Sequence, residues 1–162
     1  MRPSFRKITG SDVAHLFAIR TSVRENPFNA AALAEQGITP RSVTKSLGKS
    51  HDGYLCETSG RPVGFAMADL KAGELWVIAV LPEFEHNGIG RELLRLTENL
   101  LWSAGHASIW LRTGADRSTR AFRLYTAAGW TESELKDRQL FMTKTRDSSL
   151  IMERFCKPMG PI

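Results

Sequence analysis

The chain has 162 residues, 42% hydrophobic and 24% charged, enough apolar matter for one packed domain and too much for wholesale disorder. A net charge of +5 favours anionic partners but does not choose among nucleic acid, membrane surface and phosphorylated small molecules. The longest apolar run, residues 75–81, falls far short of the roughly 20 residues a membrane-spanning helix needs, and Cys56 and Cys156 offer neither a disulfide framework nor metal-ligand spacing.

Both cysteines are therefore expected as free thiols. The first residues, MRPSFRKITGSD, lack the apolar stretch of a secretion signal, so a cytoplasmic location is expected. The Lys and Arg residues are dispersed, without a zinc-ligand pattern or an RNA-binding aromatic signature, which argues against dedicated nucleic-acid binding. No repeat or long Pro/Gly/Ser linker divides the chain. The expected organisation is a single domain over residues 1–146 and a tail over 147–162. The tail carries no legible motif; packing on the domain and packing on a second subunit, as in a homodimer, both stay open.

In chain order, SFRKIT reads as a short strand. A helix follows, capped by Ser11 or Asp12, with Val13, Leu16, Ile19 and Val23 at helical spacing, and it should stop by Pro27. Thr39 and Pro40 make a second start signal, cap then first-turn proline, with Val43 and Leu47 one turn apart and Gly48 at the exit. GYLCET, the turn SGRP and VGFAMADL form a hairpin. ELWVIAVLP, the most apolar stretch, lacks clean alternation and reads as a central strand buried on both faces.

The next helix runs from EFEHNGIGRELL to about Ala104, with Gly105 as exit. Ile89, Leu93, Leu96, Leu100 and Ala104 are expected on its buried side, and Arg91, Arg95 and Glu98 on its polar side. SIWLRTG is a strand. DRSTRAFRLYTAAGW is a shorter helix capped by Asp116 or Ser118, with Ala121, Tyr125 and Ala128 aligned and Gly129 ending it. TESELKD and RQLFMTKT supply a closing pair of strands.

The glycines of NGIG stand where a helix begins, although each costs about 1 kcal/mol of helix propensity. The first N–H groups of a helix lack intrahelical partners and, with the macrodipole, make a place for a phosphate. Gly88 and Gly90 would let those amides close on an anion without obstruction and adopt dihedrals denied to other residues. A tight strand-to-helix turn with close packing is the competing reading. A Rossmann dinucleotide site is disfavoured, because Leu93 occupies the third glycine position of G-x-G-x-x-G.

VLPEFEHNGIGRELL resembles the acyl-coenzyme A signature of the GNAT superfamily of N-acetyltransferases, in which a strand ending V-x-P leads to (Gln/Arg)-x-x-Gly-x-(Gly/Ala) and a helix. STRAFRLYTAAGW resembles that superfamily's next motif, Asn-x-x-Ala-x-x-x-Tyr followed by a Gly-aromatic pair. The resemblance covers roughly residues 4–145. It implies an α/β (α+β) fold with a mixed, mostly antiparallel central sheet, a splayed central strand pair and flanking helices. It also implies acetyl-CoA as cosubstrate, no metal, and an amine acceptor, small molecule or peptide.

Carried over by position, the resemblance puts Ile78, Ala79 and Val80 where the central strand bulges and splays, their backbone meeting the pantetheine and thioester. His86, Asn87, Gly88, Ile89, Gly90 and Arg91 would wrap the pyrophosphate. Ser118 would reach the cofactor, and Tyr125 would stand near its sulfur as proton donor to the departing thiolate; an aromatic on a buried helix face is the alternative for Tyr125. Two positions depart from the pattern. Glu85 replaces Gln/Arg and is expected to point to solvent; Ser118 replaces Asn, with less reach and one donor fewer. The strand that carries a glutamate base in relatives acting on N-terminal amines reads Leu111, Arg112, Thr113 here, against simple transfer of that substrate class. Glu74 is the preferred base, with a solvated strand-end charge as its alternative. Arg20, Arg24, Glu25, Asn26 and Phe28 are placed by the same resemblance in the acceptor site or in plain packing. The expectation is an acetyl-CoA-dependent N-acetyltransferase; a non-catalytic acyl-CoA-binding module is the rival, suggested by Glu85, Ser118 and the missing base.

Overall fold

The structure, a computed structural model, describes residues 2–24 and 29–146. Among these, seven strands form one sheet in the order β1-β2-β3-β4-β5-β7-β6. The strands are β1 (Ser4–Lys7), β2 (His51–Thr58), β3 (Arg61–Asp69), β4 (Glu74–Val80), β5 (Ser108–Gly114), β6 (Thr131–Lys136) and β7 (Gln139–Thr145). Neighbours are antiparallel except β4 and β5, which are parallel. The helices are α1 (Val13–Arg20), α2 (Ala30–Glu35), α3 (Pro40–Ser46), α4 (Ile89–Ser103) and α5 (Arg120–Ala127). Glu25, Asn26, Pro27, Phe28, Cys156 and the whole 147–162 tail, named above on sequence grounds, lie outside the described residues.

The sequence of β3 explains how one sheet holds helices on both faces. Its small residues Gly64, Ala66 and Ala68 alternate with Val63, Phe65 and Met67, all buried. The small side admits α4 closely: a Cβ on Gly64 would stand 3.3 Å from both Ile89 Cγ2 and Leu93 Cδ1. Phe65 and Met67 face the other way and, with Leu16 and Phe17 of α1, line a cleft.

Helix ends follow the sequence where the cap is unambiguous. Thr39 accepts from the Ser42 amide with Pro40 at the first turn, and Gly48 and Gly105 take positive φ just beyond their helices. Other ends differ from expectation. Neither Ser11 nor Asp12 caps α1 by its side chain; a 3-10 turn, Gly10–Asp12, precedes it, and Asp12 receives the Thr9 amide and Arg6 instead. Neither Asp116 nor Ser118 caps α5; Thr119 does, accepting from the Phe122 amide. Helix α2, capped by Asn29, has no counterpart among the expected elements, because its small AAALAE run carries no apolar periodicity.

The faces of α4 also shift. Leu94, Thr97, Glu98 and Leu101 are buried beside Ile89 and Leu93, whereas Leu96 and Leu100 are half-buried. Glu98, expected on the polar side, accepts from Trp130 Nε1 at 2.7 Å and Lys144 Nζ at 2.9 Å. A buried carboxylate holds its place only when so paired. Helix α4 thus joins two core clusters: Ile89 and Leu93 pack with the β1–β4 half, Leu94 and Leu101 with the β5–β7 half. Cys56 is buried as a free thiol, its pKa pushed up to about 11 by burial.

Candidate active site

The two halves of the sheet meet only briefly. The β4–β5 ladder contains one register pair, Glu74 with Trp110, and past it the two strands are not paired. On its other edge β4 is zipped to β3: Ile78, Ala79 and Val80 face Ala66, Phe65 and Gly64 in regular register. The bulge in β4 falls at Trp76, between the pairs Ala68–Leu75 and Met67–Val77, and not at residues 78–80 as expected. Nor is β4 buried on both faces. Trp76, Val77 and Ile78 are half-exposed because they wall a cleft of about 710 Å³ that opens where the strands part.

The loop after β4 supplies one end of this cleft. A 3-10 turn, Pro82–Phe84, leads through His86 (φ 67°) and Gly88 (φ 75°) into α4. Asn87 braces the loop from below, its Nδ2 donating to Phe84 O at 3.1 Å and Glu85 O at 3.3 Å. Among the described residues, no protein acceptor takes the amides of His86, Asn87, Gly88, Ile89, Gly90 or Arg91; the first helical bond across this turn runs from the Glu92 amide to Gly88 O. A Cβ on Gly88 would meet nothing within 4 Å, and one on Gly90 only Leu124 Cδ2 at 3.5 Å. Only Gly88 needs the left-handed backbone that glycine favours. At Gly90 the missing side chain leaves room and nothing else.

Helix α5 forms the facing wall. Thr119, Arg120, Ala121, Leu124 and Tyr125 line the cleft; Ser118 is exposed, its hydroxyl and amide both donating to Asp116 Oδ1. Ser118 is thus committed to the turn before α5, and Thr119 has the place on the cleft that the sequence assigned to it. Glu85 does not point to solvent. Its Oε2 lies 2.6 Å from Arg120 Nη1, joining the loop to the first residue of α5. Sequence reasoning missed Arg120, and no local signal gives it: the two residues are 35 positions apart and meet only because β4 and α5 converge.

Deeper in the cleft stand Glu74 and Tyr125. Glu74 is only 7% exposed and is no solvated strand-end charge. Burial raises its carboxyl above the ordinary range and Asp69 adds to this, while Arg112, with Nε 3.4 Å away, opposes both. Tyr125 is buried against Trp130, ring centroids 6.2 Å apart, and its hydroxyl makes no hydrogen bond to the described residues. Burial pushes that hydroxyl above the ordinary tyrosine range, and the positive charge of Arg20 pulls it partly back. Arg20, Glu74, Arg112 and Tyr125 therefore share one cleft with the open amides of the loop. The described residues hold no His/Cys/Asp/Glu group arranged to bind a metal ion.

Comparison with known proteins gives this arrangement its family. The sequence model of the acetyltransferase (GNAT) family matches residues 16–130. The chain belongs to that family. It is similar to the ribosomal protein bS18-alanine N-acetyltransferase of Escherichia coli (strain K12), with 26% identity over 114 residues, 69% of this chain and 76% of the relative. Among solved structures, the PaiA N-acetyltransferase of Thermoplasma acidophilum in complex with coenzyme A superposes with TM-score 0.77 at 16% identity, covering 90% of this chain and all of that one. The crystal structure of the Escherichia coli ribosomal-protein-S18-alanine N-acetyltransferase superposes with TM-score 0.69 at 19% identity, covering 89% and 94%. The seven-stranded, mostly antiparallel sheet with flanking helices is the fold of these neighbours, and the GNAT acetyltransferase is an acyltransferase in enzyme class.

Proposed function

We propose that the protein transfers an acetyl group from acetyl-CoA to a primary amine by direct attack of the amine on the thioester. The observation that carries this reading is the union, in one cleft, of the unclaimed amides of His86, Gly88, Ile89, Gly90 and Arg91 with a buried carboxylate and the unbonded hydroxyl of a buried tyrosine. The fit to the cosubstrate is good on two counts. The loop amides offer donors to a diphosphate with no side chain over Gly88 or Gly90, and the parted edge of β4 offers backbone groups to an extended pantetheine arm. Acetyl-CoA, when bound, supplies the activated carbonyl; the protein's own groups supply donors, orientation and proton transfer.

Glu74 accepts a proton from the incoming ammonium, directly or through water, and its raised pKa makes it a better base than an exposed carboxylate. A main-chain N–H near Val80 stabilises the developing oxyanion. Tyr125 protonates the departing thiolate. From a reference pKa of about 10 to a thiol near 8.5 that transfer is already uphill, and burial makes it more so. The hydroxyl therefore donates in concert with cleavage of the C–S bond, and the tyrosinate left behind regains its proton from solvent, a recapture that its raised pKa favours. Arg112 stands where some relatives carry their base and here serves Glu74 as counter-ion.

The features that suggested a silent binding module weigh less in place: Glu85 is neutralised by Arg120, and a buried carboxylate stands in the cleft. The acceptor is an amine of a small molecule or a peptide; an alanine-leading peptide belongs in the screen because similar proteins act on ribosomal-protein alanine, while Leu111, Arg112 and Thr113 in place of a glutamate argue against that class as the default. The test is mass spectrometry of acetylated product over peptides, amino acids, aminoglycosides and polyamines. Product from one class, lost in Glu74→Gln, is expected. Acetyl-CoA binding without product from any class would favour the binding module.

A further inference from the structure

We infer that Arg120 is a phosphate-gripping residue of the cosubstrate site, with Glu85 as the internal anion that the cosubstrate must displace from it; this rests on the acetyl-CoA reading above. Glu85 Oε2 and Arg120 Nη1 are 2.6 Å apart, and both side chains line the cleft together with Gly88, Gly90 and Arg91. The carboxylate stands on the loop whose amides lack protein acceptors, so an arriving diphosphate meets a like charge there. It also meets the guanidinium that this charge holds. A guanidinium presents a planar fork of donors suited to two phosphate oxygens; the Arg120 side chain is 38% exposed on the cleft, while its Nη1, ion-paired with Glu85, is shielded from solvent and without a well-aligned hydrogen bond, a donor for a ligand oxygen once the carboxylate moves aside. Arg91, in the first turn of α4, is exposed and has no ion-pair partner among the described residues. Arg120 differs in being anchored at the start of α5 and already turned toward the loop.

The consequence is a trade. Glu85 orients Arg120 and keeps it at the phosphate site, but competes for it, so affinity for the diphosphate is set below what the loop could reach. Exchange of partners on binding also ties the loop before α4 to the start of α5, the helix that carries Tyr125.

A two-residue cycle separates this from a merely structural ion pair. Affinities for CoA are measured by calorimetry in the full chain for wild type, Glu85→Gln, Arg120→Gln and the double variant, each checked for native circular dichroism. Glu85→Gln should bind CoA about 3- to 10-fold tighter and Arg120→Gln at least about 10-fold weaker. The double variant should stay weak, because the phosphate contact is gone. Recovery of wild-type affinity in the double variant would overturn the proposal, since it would mean that Arg120 only neutralises Glu85. S-acetylpantetheine, which lacks the diphosphate, should show similar KM values in all four proteins; an equal Arg120 dependence there would also overturn it. If wild type fails to bind CoA at all, the acetyl-CoA reading falls first, and that outcome is distinct from the other two.

Discussion

At Tyr125, burial and freedom occur in one side chain: the ring is packed on Trp130 while the hydroxyl has no partner in the described protein. A core tyrosine usually satisfies its hydroxyl. The sequence motif pointed to this residue but could not distinguish it from a packed aromatic, because that difference lies in what α1 and β4 place around it. Tyr125→Phe should leave CoA affinity within about twofold and lower kcat by about 10- to 100-fold. Unchanged kcat in steady-state assays would remove the hydroxyl from the mechanism. Glu74 gives the companion pH prediction. Its carboxyl must be ionised to accept a proton, and burial, with Asp69, raises its pKa against the pull of Arg112. Activity should therefore rise with pH through a limb above the ordinary carboxylate range. In Glu74→Gln that limb should disappear along with most turnover; a limb that persists would assign the titration to the amine. The same shift has a stability sign: the folded protein holds this proton more tightly than the unfolded chain, so its contribution declines as pH rises from the unfolded toward the folded pKa.

Among the elements, the turn from β4 into α4 was the most legible part of the chain, because two glycines at a helix start contradict local propensity and so demand a reason. The structure divides that reason in two. Gly88 is required by its backbone, at φ 75°, whereas Gly90 sits in ordinary helical conformation and is required, if at all, by what must approach it. Gly88→Ala should lower Tm by about 2–6 °C, from a left-handed cost of about 1–2 kcal/mol in a domain of this size. Gly90→Ala should keep or slightly raise Tm without ligand, by removing a weak helix former, and yet bind CoA several-fold more weakly. Thermal melts with and without CoA check both. Equal CoA stabilisation of Gly90→Ala and wild type would mean that the open space above α4 is not a ligand path. Other element features were illegible for definable reasons. Glu98 looks polar in the helix pattern, and only the distant Trp130 and Lys144 make its burial tolerable. The rotated face of α4 comes from its contact with both halves of the sheet: Ile89 and Leu93 approach Gly64 of β3, while Leu94 and Leu101 pack with Ile109, Leu111, Leu140 and Met142, leaving Leu96 and Leu100 half-buried.

Across the whole molecule, function depends on a sheet whose halves stay together through α4 but part between β4 and β5. The mostly antiparallel sheet and its splayed strand pair are expected from a family resemblance, but the strand order and the place of the parallel pair come only from the structure, since ELWVIAVLP shows an apolar run but not which edge is left open. The cleft is the consequence, and its charges come from elements scattered along the chain, among them Arg20 on α1, Glu74 on β4, Arg91 on α4, Arg112 on β5 and Arg120 on α5. No single stretch of sequence shows such a set. The central claim is that the loop amides at one end of this cleft hold the diphosphate of a CoA thioester. The direct measurement is calorimetric titration with CoA, acetyl-CoA and a single-stranded oligonucleotide, at low and high salt. The account predicts one CoA bound per chain, weakened by salt as expected for a charged ligand, and no saturable heat from the oligonucleotide. Saturable binding of the oligonucleotide with none for either CoA ligand would contradict it.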